Sequence, residues 1–373
     1  MPTVSISLGK RSYKIHVENG ALNRVGELAV QSGIKVGHLA LVTDTNVAPL
    51  YADTAVRSFE KAGFKVSIHI ISAGEQSKCL EEVGKLCSAF VKAGLDRSST
   101  VAALGGGVVG DLAGFVASVY YRGISYIQIP TTIIAQSDSS IGGKTAVNIP
   151  EGKNLVGAFH QPKVVVIDPT TLVTLVSRTL AEGMAEVVKH AAIGQAEMIE
   201  ELRPLGNEIS IGLSLSTIRS LPDLLARNLS VKARIVEADE EERLNLRALL
   251  NFGHTIGHGI EASVPYGQIY HGEAVALGMR AALFLSEKKC GLSHDDSKAL
   301  LSLLNTMDLP LVLPDHLKTE DIMEKIAKDK KFTSGSIRFI LLPHLGEACV
   351  SSDVSVDDLV EAIESLRIPI DCD

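Results

Sequence analysis

Three histidines lie in one apolar, glycine-rich stretch of the sequence, "NFGHTIGHGIEASVPYGQIYHGEAVALG" (251 to 278). His254 and His258 are four residues apart, so on a helix they share one face, and His271 follows after a short loop pattern. Imidazole commonly binds divalent metals, and a catalytic metal site uses about three protein ligands with positions left open. The stretch therefore favours a metal-binding or catalytic site over packing alone.

A carboxylate that could complete such a site occurs in the apolar segment "GMAEVVKHAAI". Glu186 and Lys189 are three residues apart on one helix face, where a buried carboxylate or ammonium is costly unless it is paired or binds a metal. Glu186 is thus a candidate third ligand, and His190 is an alternative on spacing. The HExxH pattern of zinc peptidases is absent, since Thr255 follows His254.

A glycine-rich turn, "LGGGVVGDLAGF", follows one predicted strand and opens a predicted helix. Its glycines fit GxGxxG, a pattern that lets the backbone approach a pyrophosphate at a helix N-terminus. A tight turn without a ligand remains the alternative. No acidic residue lies between Asp111 and Asp138 to bind a ribose, so Asp44 is the candidate substitute. In "IGGKTAVN" a P-loop is excluded, because Asp138 stands where its first glycine belongs.

Composition narrows the classes of function. The 373 residues carry a formal net charge of −8, which argues against a nucleic-acid or anionic-membrane partner. Five scattered cysteines without a CxxC pair indicate a reduced, cytoplasmic protein. The N-terminus lacks the pattern of a signal peptide, and the glycines and Asp111 of the longest apolar stretch make a membrane span unfavourable.

Strand-like and helical segments alternate in the first half of the chain. Strands are predicted at 37 to 44, 64 to 72, 100 to 106, 124 to 130 and 163 to 168. This alternation is typical of a parallel sheet covered by helices. Long amphipathic patterns dominate from about Asp168 onward. We therefore predict a Rossmann-like, NAD-binding α/β domain at 1–178, followed by a mostly α-helical domain at 179–373 that binds metal and substrate. The acidic run "EADEEER" (237 to 243) is predicted to be a solvated turn.

Taken together, the motifs resemble the 3-dehydroquinate synthase family of the sugar-phosphate cyclase superfamily. The matching segments run in family order over nearly the whole chain: "TDTN" (43 to 46), "GEQSK" (74 to 78), "GGGVVGDLAGF" (105 to 115), "YRGI" (121 to 124), "IPTTIIAQSDSSIGGKTAVN" (129 to 148), "GKNLVGAFHQP" (152 to 162), "EGMAEVVKH" (182 to 190), "LRALLNFGHTIGHGIE" (246 to 261), "HGEAVALGM" (271 to 279) and "DKK" (329 to 331).

The resemblance implies a role for each matching residue. It implies that Glu186, His254 and His271 bind the divalent metal, zinc or else cobalt, and that His258 is a polar catalytic group. It implies an NAD site made by Asp44, Asn46, Glu75, Lys78, Gly106, Gly107, Val108, Asp111, Thr131, Thr132, Asp138, Lys144, Lys153 and Thr174. The implied catalytic residues are Lys144, Asn154, Lys189, Arg247 and His258. Substrate binding is implied for Arg122, Asp138, Lys144, Lys153, Asn154, Lys189, Lys232, Arg247, Asn251, His258 and Lys330, with Lys331 as the alternative to Lys330.

The implied reaction belongs to the shikimate pathway. It converts 3-deoxy-D-arabino-heptulosonate 7-phosphate to 3-dehydroquinate and phosphate by transient oxidation with NAD, phosphate elimination, reduction and intramolecular aldol closure. An anionic sugar phosphate explains why lysines and arginines recur in the motifs of an acidic chain. The family further implies a homodimer in which Arg122 reaches the neighbouring site.

Three other functions compete with this one. A sister cyclase would act on another sugar phosphate, although retention of "DKK" and "GKN" favours dehydroquinate synthase. A metal-dependent alcohol or glycerol dehydrogenase would share the two-domain plan but release NADH in proportion to product. A non-catalytic metal- or nucleotide-binding protein is disfavoured by the complete set of charged residues.

Overall fold

A computed structural model describes residues 2–328 and 337–370. The strands are β1 (Thr3–Ile6), β2 (Tyr13–Val17), β3 (His38–Asp44), β4 (Lys65–Ile71), β5 (Thr100–Gly105), β6 (Ser125–Pro130), β7 (Lys144–Ile149), β8 (Gly152–Phe159), β9 (Val164–Ile167), β10 (Ile337–His344) and β11 (Glu347–Val354). The helices are α1 (Val25–Gln31), α2 (Asp53–Lys61), α3 (Leu80–Lys92), α4 (Gly107–Val119), α5 (Ser177–Gly194), α6 (Met198–Ile209), α7 (Leu215–Ala238), α8 (His254–Ala262), α9 (His271–Cys290), α10 (His294–Thr306), α11 (Thr319–Lys328) and α12 (Val356–Ser365).

By their contacts the residues form two units. The first comprises Met1–Leu175 and Leu215–Glu241, and the second comprises Val176–Ser214 and Glu242–Asp373. Helix α7 belongs to the first unit because it packs against β1 and β2, although its residues fall within the predicted second domain. The boundary at residue 178, as a boundary between functional domains, stays a prediction.

A seven-stranded sheet in the order β1-β2-β9-β6-β5-β3-β4 forms the centre of the first unit. All its neighbouring strands are parallel except β1 and β2. Strand β5 is buried on both faces: Val101 and Ala103 belong to one apolar cluster, and Ala102 and Leu104 to the other. All five predicted strands are present, and the predicted α/β sheet is confirmed. The antiparallel pairs β1–β2 and β7–β8 were not predicted.

The acidic run at 237 to 243 is only partly the solvated turn that was predicted: Glu237, Ala238, Glu242 and Arg243 are exposed, but two carboxylates of the run are bonded to other segments. Glu240 forms an ion pair with Arg11 at 2.5 Å and accepts a hydrogen bond from Gln161 at 3.0 Å. Glu237 accepts a hydrogen bond from the amide of Ser7. These two carboxylates therefore connect the end of α7 to the rest of the first unit.

Helices dominate the second unit, as predicted, with the antiparallel pair β10–β11 as an addition. Helix α9 is its central element: it is buried along most of its length and packs against α5, α8, α10, α12 and β10. Among the described residues, no helix combines the length and apolarity needed to cross a bilayer.

Candidate active site

Three predicted metal ligands converge in the second unit. Glu186 lies in the middle of α5, while His254 and His271 are the first residues of α8 and α9. The Nε2 atoms of both histidines lie 3.3 Å from Oε1 of Glu186. Their candidate ligand atoms all lie within 4.8 Å of one another. One carboxylate and two imidazoles are thus placed where a single cation could contact all of them.

The other ring nitrogen of each histidine is held by a hydrogen bond. Nδ1 of His254 lies 3.1 Å from the carbonyl oxygen of Phe252, and Nδ1 of His271 lies 3.0 Å from Oε2 of Glu261. Both partners are acceptors, so each Nδ1 carries a proton and donates it. This arrangement directs both Nε2 atoms toward Glu186, which is the orientation that metal-binding histidines adopt. The residues therefore fit a divalent cation.

Lys189 supplies a positive charge beside the cluster. Its ammonium forms an ion pair with Oε2 of Glu186, and both side chains are buried. Burial by itself would raise the pKa of Glu186, but the Lys189 ammonium and the two imidazoles lower it well below its usual value. Glu186 is thus ionised and able to act as a ligand.

The two imidazoles differ in their charge state in the absence of a metal. Burial lowers the pKa of His254, and the nearby Lys189 ammonium lowers it further. Burial also opposes charge on His271, but the carboxylates of Glu186 and Glu261 outweigh it and raise its pKa to about 10. A cation that binds at Nε2 must therefore displace a proton from His271.

Glycines bring the three helices close enough for these side chains to meet. A Cβ placed on Gly272, next to His271, would overlap the backbone carbonyl oxygen of Glu182 on α5. A Cβ on Gly257 would lie 2.9 Å from the carbonyl oxygen of Ala274. Gly253, which precedes α8, has φ +78°, a left-handed conformation that favours glycine. The glycines around the histidines thus serve close helix packing.

A clamp that was not predicted joins the starts of α5 and α9. Arg178 contacts both oxygens of Glu273 at 2.6 and 2.8 Å, and its guanidinium lies 4.0 Å from the ring centroid of Tyr270. Glu273 also accepts from the Tyr270 amide as part of a capping box that begins α9. The clamp fixes the turn that presents His271.

Three further predicted residues of the second unit, His258, Arg247 and Asn251, lie on or just before α8. The ring of His258 lies 5.1 Å from that of His254 and 5.8 Å from that of His271, measured between centroids. Arg247 and Asn251 belong to a short helix, Leu246–Asn251, directly before α8, and Arg247 is buried. His190 on α5, which spacing also offered as a ligand but the family resemblance did not favour, is also buried, and a ring nitrogen lies within 4.8 Å of a Glu186 oxygen.

Residues predicted to bind NAD follow the carboxyl ends of β3, β4, β5 and β6 in the first unit. Asp44 ends β3 and accepts hydrogen bonds from the amides of Asn46 and Val47 at 2.8 and 3.0 Å. Gly106 is the N-cap of α4 after β5, Gly107 is the first residue of the helix, and Val108 follows. Thr131 and Thr132 follow β6, and Thr131 donates to the Gly105 carbonyl at 3.0 Å. In α/β sheets this edge is where nucleotides bind.

Two further predicted NAD residues form a buried ion pair. Nζ of Lys78 lies 2.5 Å from Oδ2 of Asp111 on α4. Burial raises the pKa of Asp111, and the Lys78 ammonium opposes that shift. Thr174 follows β9, and its hydroxyl contacts that of Tyr51, which lies shortly after Asp44, at 2.9 Å.

Asn148, which was not predicted, links two predicted site loops of the first unit. Its Nδ2 donates to Oε1 of Glu75 at 2.8 Å, and its Oδ1 accepts from the amide of Asn154 at 2.9 Å. Its own amide donates to the Lys78 carbonyl at 2.8 Å. Asn154 has φ +57°, so this loop needs support. Asn148 therefore connects the Glu75 loop with the β7–β8 hairpin.

The other predicted substrate residues of the first unit are cations and their partners. Lys232 on α7 binds Oδ1 and the carbonyl oxygen of Asp138 at 2.8 and 2.7 Å. Lys144 and Lys153 are exposed on the β7–β8 hairpin. Arg122 is exposed and has φ +65°. Predicted Lys330 and its alternative Lys331 lie outside the described residues.

The chain is similar to known proteins in both sequence and structure. A family model described as 3-dehydroquinate synthase N-terminal matches residues 68–182, and one described as 3-dehydroquinate synthase C-terminal matches 183–332. A 3-dehydroquinate synthase of Symbiobacterium thermophilum is 44% identical over 365 residues, 97% of this chain and 100% of that protein.

Two solved structures are similar over the whole fold. A 2-deoxy-scyllo-inosose synthase complexed with carbaglucose-6-phosphate, NAD+ and Co2+ has a TM-score of 0.86 and 28% identity, covering 97% of this chain and 99% of that chain. A 2-epi-5-epi-valiolone synthase from Streptomyces hygroscopicus subsp. jinggangensis with NAD+ and Zn2+ bound has a TM-score of 0.84 and 27% identity, covering 96% and 98%.

The fold and the residue clusters place the chain in the class of sugar phosphate cyclases. Within that class, the identity to a 3-dehydroquinate synthase is 44%, against 28% and 27% to these two enzymes. The chain belongs to the 3-dehydroquinate synthase family, enzymes of the shikimate pathway that depend on NAD and a metal. The resemblance stated from the sequence is confirmed.

Proposed function

We propose that the described clusters carry out dehydroquinate synthesis from 3-deoxy-D-arabino-heptulosonate 7-phosphate, with NAD and one divalent ion, zinc or else cobalt. The observation that carries the proposal is the convergence of two imidazole Nε2 atoms on one oxygen of Glu186. The order of sequence motifs and the 44% identity to a dehydroquinate synthase support the substrate. Residues 1–178 would hold the nucleotide, and 179–373 the metal.

Glu186, His254 and His271 would hold the divalent ion in this proposal. A bound ion would polarise a substrate hydroxyl and stabilise the negative charge that develops on its oxygen. Lys189 adds a second positive charge next to Glu186, which favours an anionic oxygen at the same place. His258 lies beside both histidine ligands and supplies a group that can donate or accept a proton.

The nucleotide residues of the first unit would orient NAD. Bound NAD would accept a hydride from the substrate and later return it, so the cofactor is regenerated. In this proposal the amides of Gly106 and Gly107 at the start of α4 would bind the pyrophosphate, and Asp44 at the end of β3 would bind a ribose. Asp111 and Lys78, paired with each other, shape the same edge.

The cationic residues would bind the anionic substrate. Lys144, Lys153 and Lys232 of the first unit, Arg247 of the second, and Lys330 would contact the carboxylate and phosphate groups. Asn154 and Asn251 would provide neutral hydrogen bonds. Asp138 would position Lys232, whose ammonium it binds at 2.8 Å. Such charges near an elimination stabilise the leaving phosphate.

A homodimer and a cytoplasmic location complete the proposal. An exposed Arg122 with φ +65° is held in a strained backbone, which supports a role for its side chain in binding phosphate at a neighbouring copy. Mixing inactive Arg122→Ala chains with inactive His271→Ala chains should restore part of the activity if the arginine acts across subunits. Cell fractionation tests the cytoplasmic location, for which we expect the protein in the soluble cytoplasmic fraction.

The deciding experiment measures phosphate release from the heptulosonate phosphate with NAD, in parallel with the absorbance of reduced cofactor. We expect phosphate without lasting NADH, and loss of release after chelation that returns with Zn2+. Release that survives chelation would contradict the metal role. Lasting NADH with glycerol would favour a dehydrogenase, and turnover of a six-carbon sugar phosphate alone would favour a sister cyclase.

A further inference from the structure

The two histidines that face Glu186 are supported by acceptors of different charge. Nδ1 of His254 donates to a backbone carbonyl, whereas Nδ1 of His271 donates to the carboxylate of Glu261. Neither Glu261 nor its bond was part of the predicted site. A hydrogen bond to a carboxylate is roughly twice as strong as one to a neutral acceptor.

We propose that Glu261 is a positioning residue that holds the His271 ring by its Nδ1–H and thereby raises the affinity of the cluster for a divalent cation. The inference rests on the proposed metal site and adds a residue outside its ligand set. Glu261 would not contact the ion, because its oxygen is engaged on the opposite side of the imidazole from Nε2.

The position of Glu261 follows from helix periodicity. Residues 254, 258 and 261 are spaced by four and three, so on α8 they share one face. His271 begins the next helix, and α8 packs closely along α9 through Gly257. One face of α8 thus provides a ligand, a neighbouring histidine and the support of the second histidine ligand.

The physical effect has two parts. The bond fixes the rotation of the ring, so less conformational entropy is lost when Nε2 binds a cation. The negative charge also increases the electron density that Nε2 donates, and loss of such an outer partner typically lowers metal affinity by about 10–100-fold. The Glu261 side chain is about one-fifth exposed.

The test compares zinc affinities of metal-free protein, titrated with Zn2+ against a chromophoric chelator. Glu261→Gln keeps an acceptor but removes the charge, and Glu261→Ala removes both. Glu347→Gln is the matched control, since Glu347 also pairs with a histidine, His344, at 2.9 Å, but on the exposed β10–β11 turn. Circular dichroism and thermal unfolding in the presence of chelator check that each variant folds.

We expect Glu261→Gln to weaken zinc binding by about 10-fold or more, Glu261→Ala to weaken it further, and Glu347→Gln to leave it unchanged. Excess zinc should restore phosphate release in Glu261→Gln, which a purely structural defect would not allow. An affinity of Glu261→Gln within about twofold of wild type would overturn the inference while leaving the metal site intact. A wild-type chain that binds no zinc would overturn the proposed function and this inference with it.

Discussion

Gly278 on α9 lies against the backbone of Gly253, so closely that a Cβ on Gly278 would overlap the Gly253 carbonyl oxygen. The two glycines set the separation between α8 and α9, the helices that begin with His254 and His271. Backbone contact at this point leaves no space for a side chain, since interiors are close-packed. Convergence of the two imidazoles therefore depends on residues that carry no functional group.

Gly278→Ala should push α8 away from α9, because the obstacle is backbone and not a flexible side chain. We expect a loss of about 1–3 kcal/mol or more in the free energy of unfolding, measured by urea titration, and weaker zinc binding. Gly84→Ala is the control: this glycine lies within α3 with open space where a Cβ would stand. Equal stability of Gly278→Ala and wild type would contradict the packing argument.

Arg178→Gln should release the clamp on the turn before His271. The Arg178 side chain is half exposed, so the ion pair itself contributes modestly, about 1 kcal/mol or less. A double-mutant cycle with Glu273→Gln measures this coupling by chemical unfolding. We expect a positive coupling and a lower zinc affinity in both single variants. If the two substitutions lower the free energy of unfolding additively, the Arg178–Glu273 ion pair contributes nothing to stability.

Asn148→Ala should loosen both loops that Asn148 joins, those of Glu75 and Asn154. A hydrogen bond to a charged group contributes about 1.5–3 kcal/mol, so we expect KM for NAD or for the sugar phosphate to rise about 10-fold or more. Steady-state kinetics with each ligand varied in turn measures this. Asn23→Ala, at an exposed turn, is the control. Unchanged values of KM for both ligands in Asn148→Ala would refute the link.

Because of His160, we expect the free energy of unfolding to be smaller in weak acid than at neutral pH. Its ring stacks on Tyr126, and Nε2 donates to the Ile124 carbonyl at 2.8 Å. Burial lowers the pKa of His160 below 6.5, opposed by that carbonyl and aided by Lys163. The unfolded chain therefore binds the proton more readily, and the stabilisation is present above about pH 6.5 and is lost as pH falls toward the folded-state pKa.

Urea unfolding at pH 7.5 and at pH 5.5 measures this dependence. His160→Gln should show a smaller difference between the two conditions than wild type. His294→Gln, which changes an exposed histidine, should behave as wild type. A pH dependence in His160→Gln that equals that of wild type would assign the acid sensitivity to other groups.

The sequence predicted those features whose signal is local. Strands buried on both faces read as continuous apolar runs, and β3, β5 and β6 were placed correctly for that reason. Glu186 stood out because a carboxylate in an apolar helix needs a partner. In the structure Glu186 contacts Lys189, His254 and His271, which all lie in the motifs that carry the family resemblance.

Features that depend on long-range pairing were missed. Glu261, Arg178 and Asn148 are ordinary polar residues whose partners, His271, Glu273 and Glu75, cannot be identified from spacing alone. Helix α7 looks like any amphipathic helix, and only its contacts with β1 reveal which unit it joins. Strands β10 and β11 were also missed, because their alternation of polar and apolar residues is weak and the surrounding sequence is mostly helical. In each case, the determining contact joins segments far apart in the chain.

The most direct test of the metal cluster is the zinc content of the purified chain and of Glu186→Gln, His254→Gln and His271→Gln, with His294→Gln as the control. We expect about one zinc per chain in wild type and in the control. Glu186→Gln, His254→Gln and His271→Gln should each lose most of their zinc. Wild-type zinc content in any one of those three variants would show that the ion, if bound, is held elsewhere.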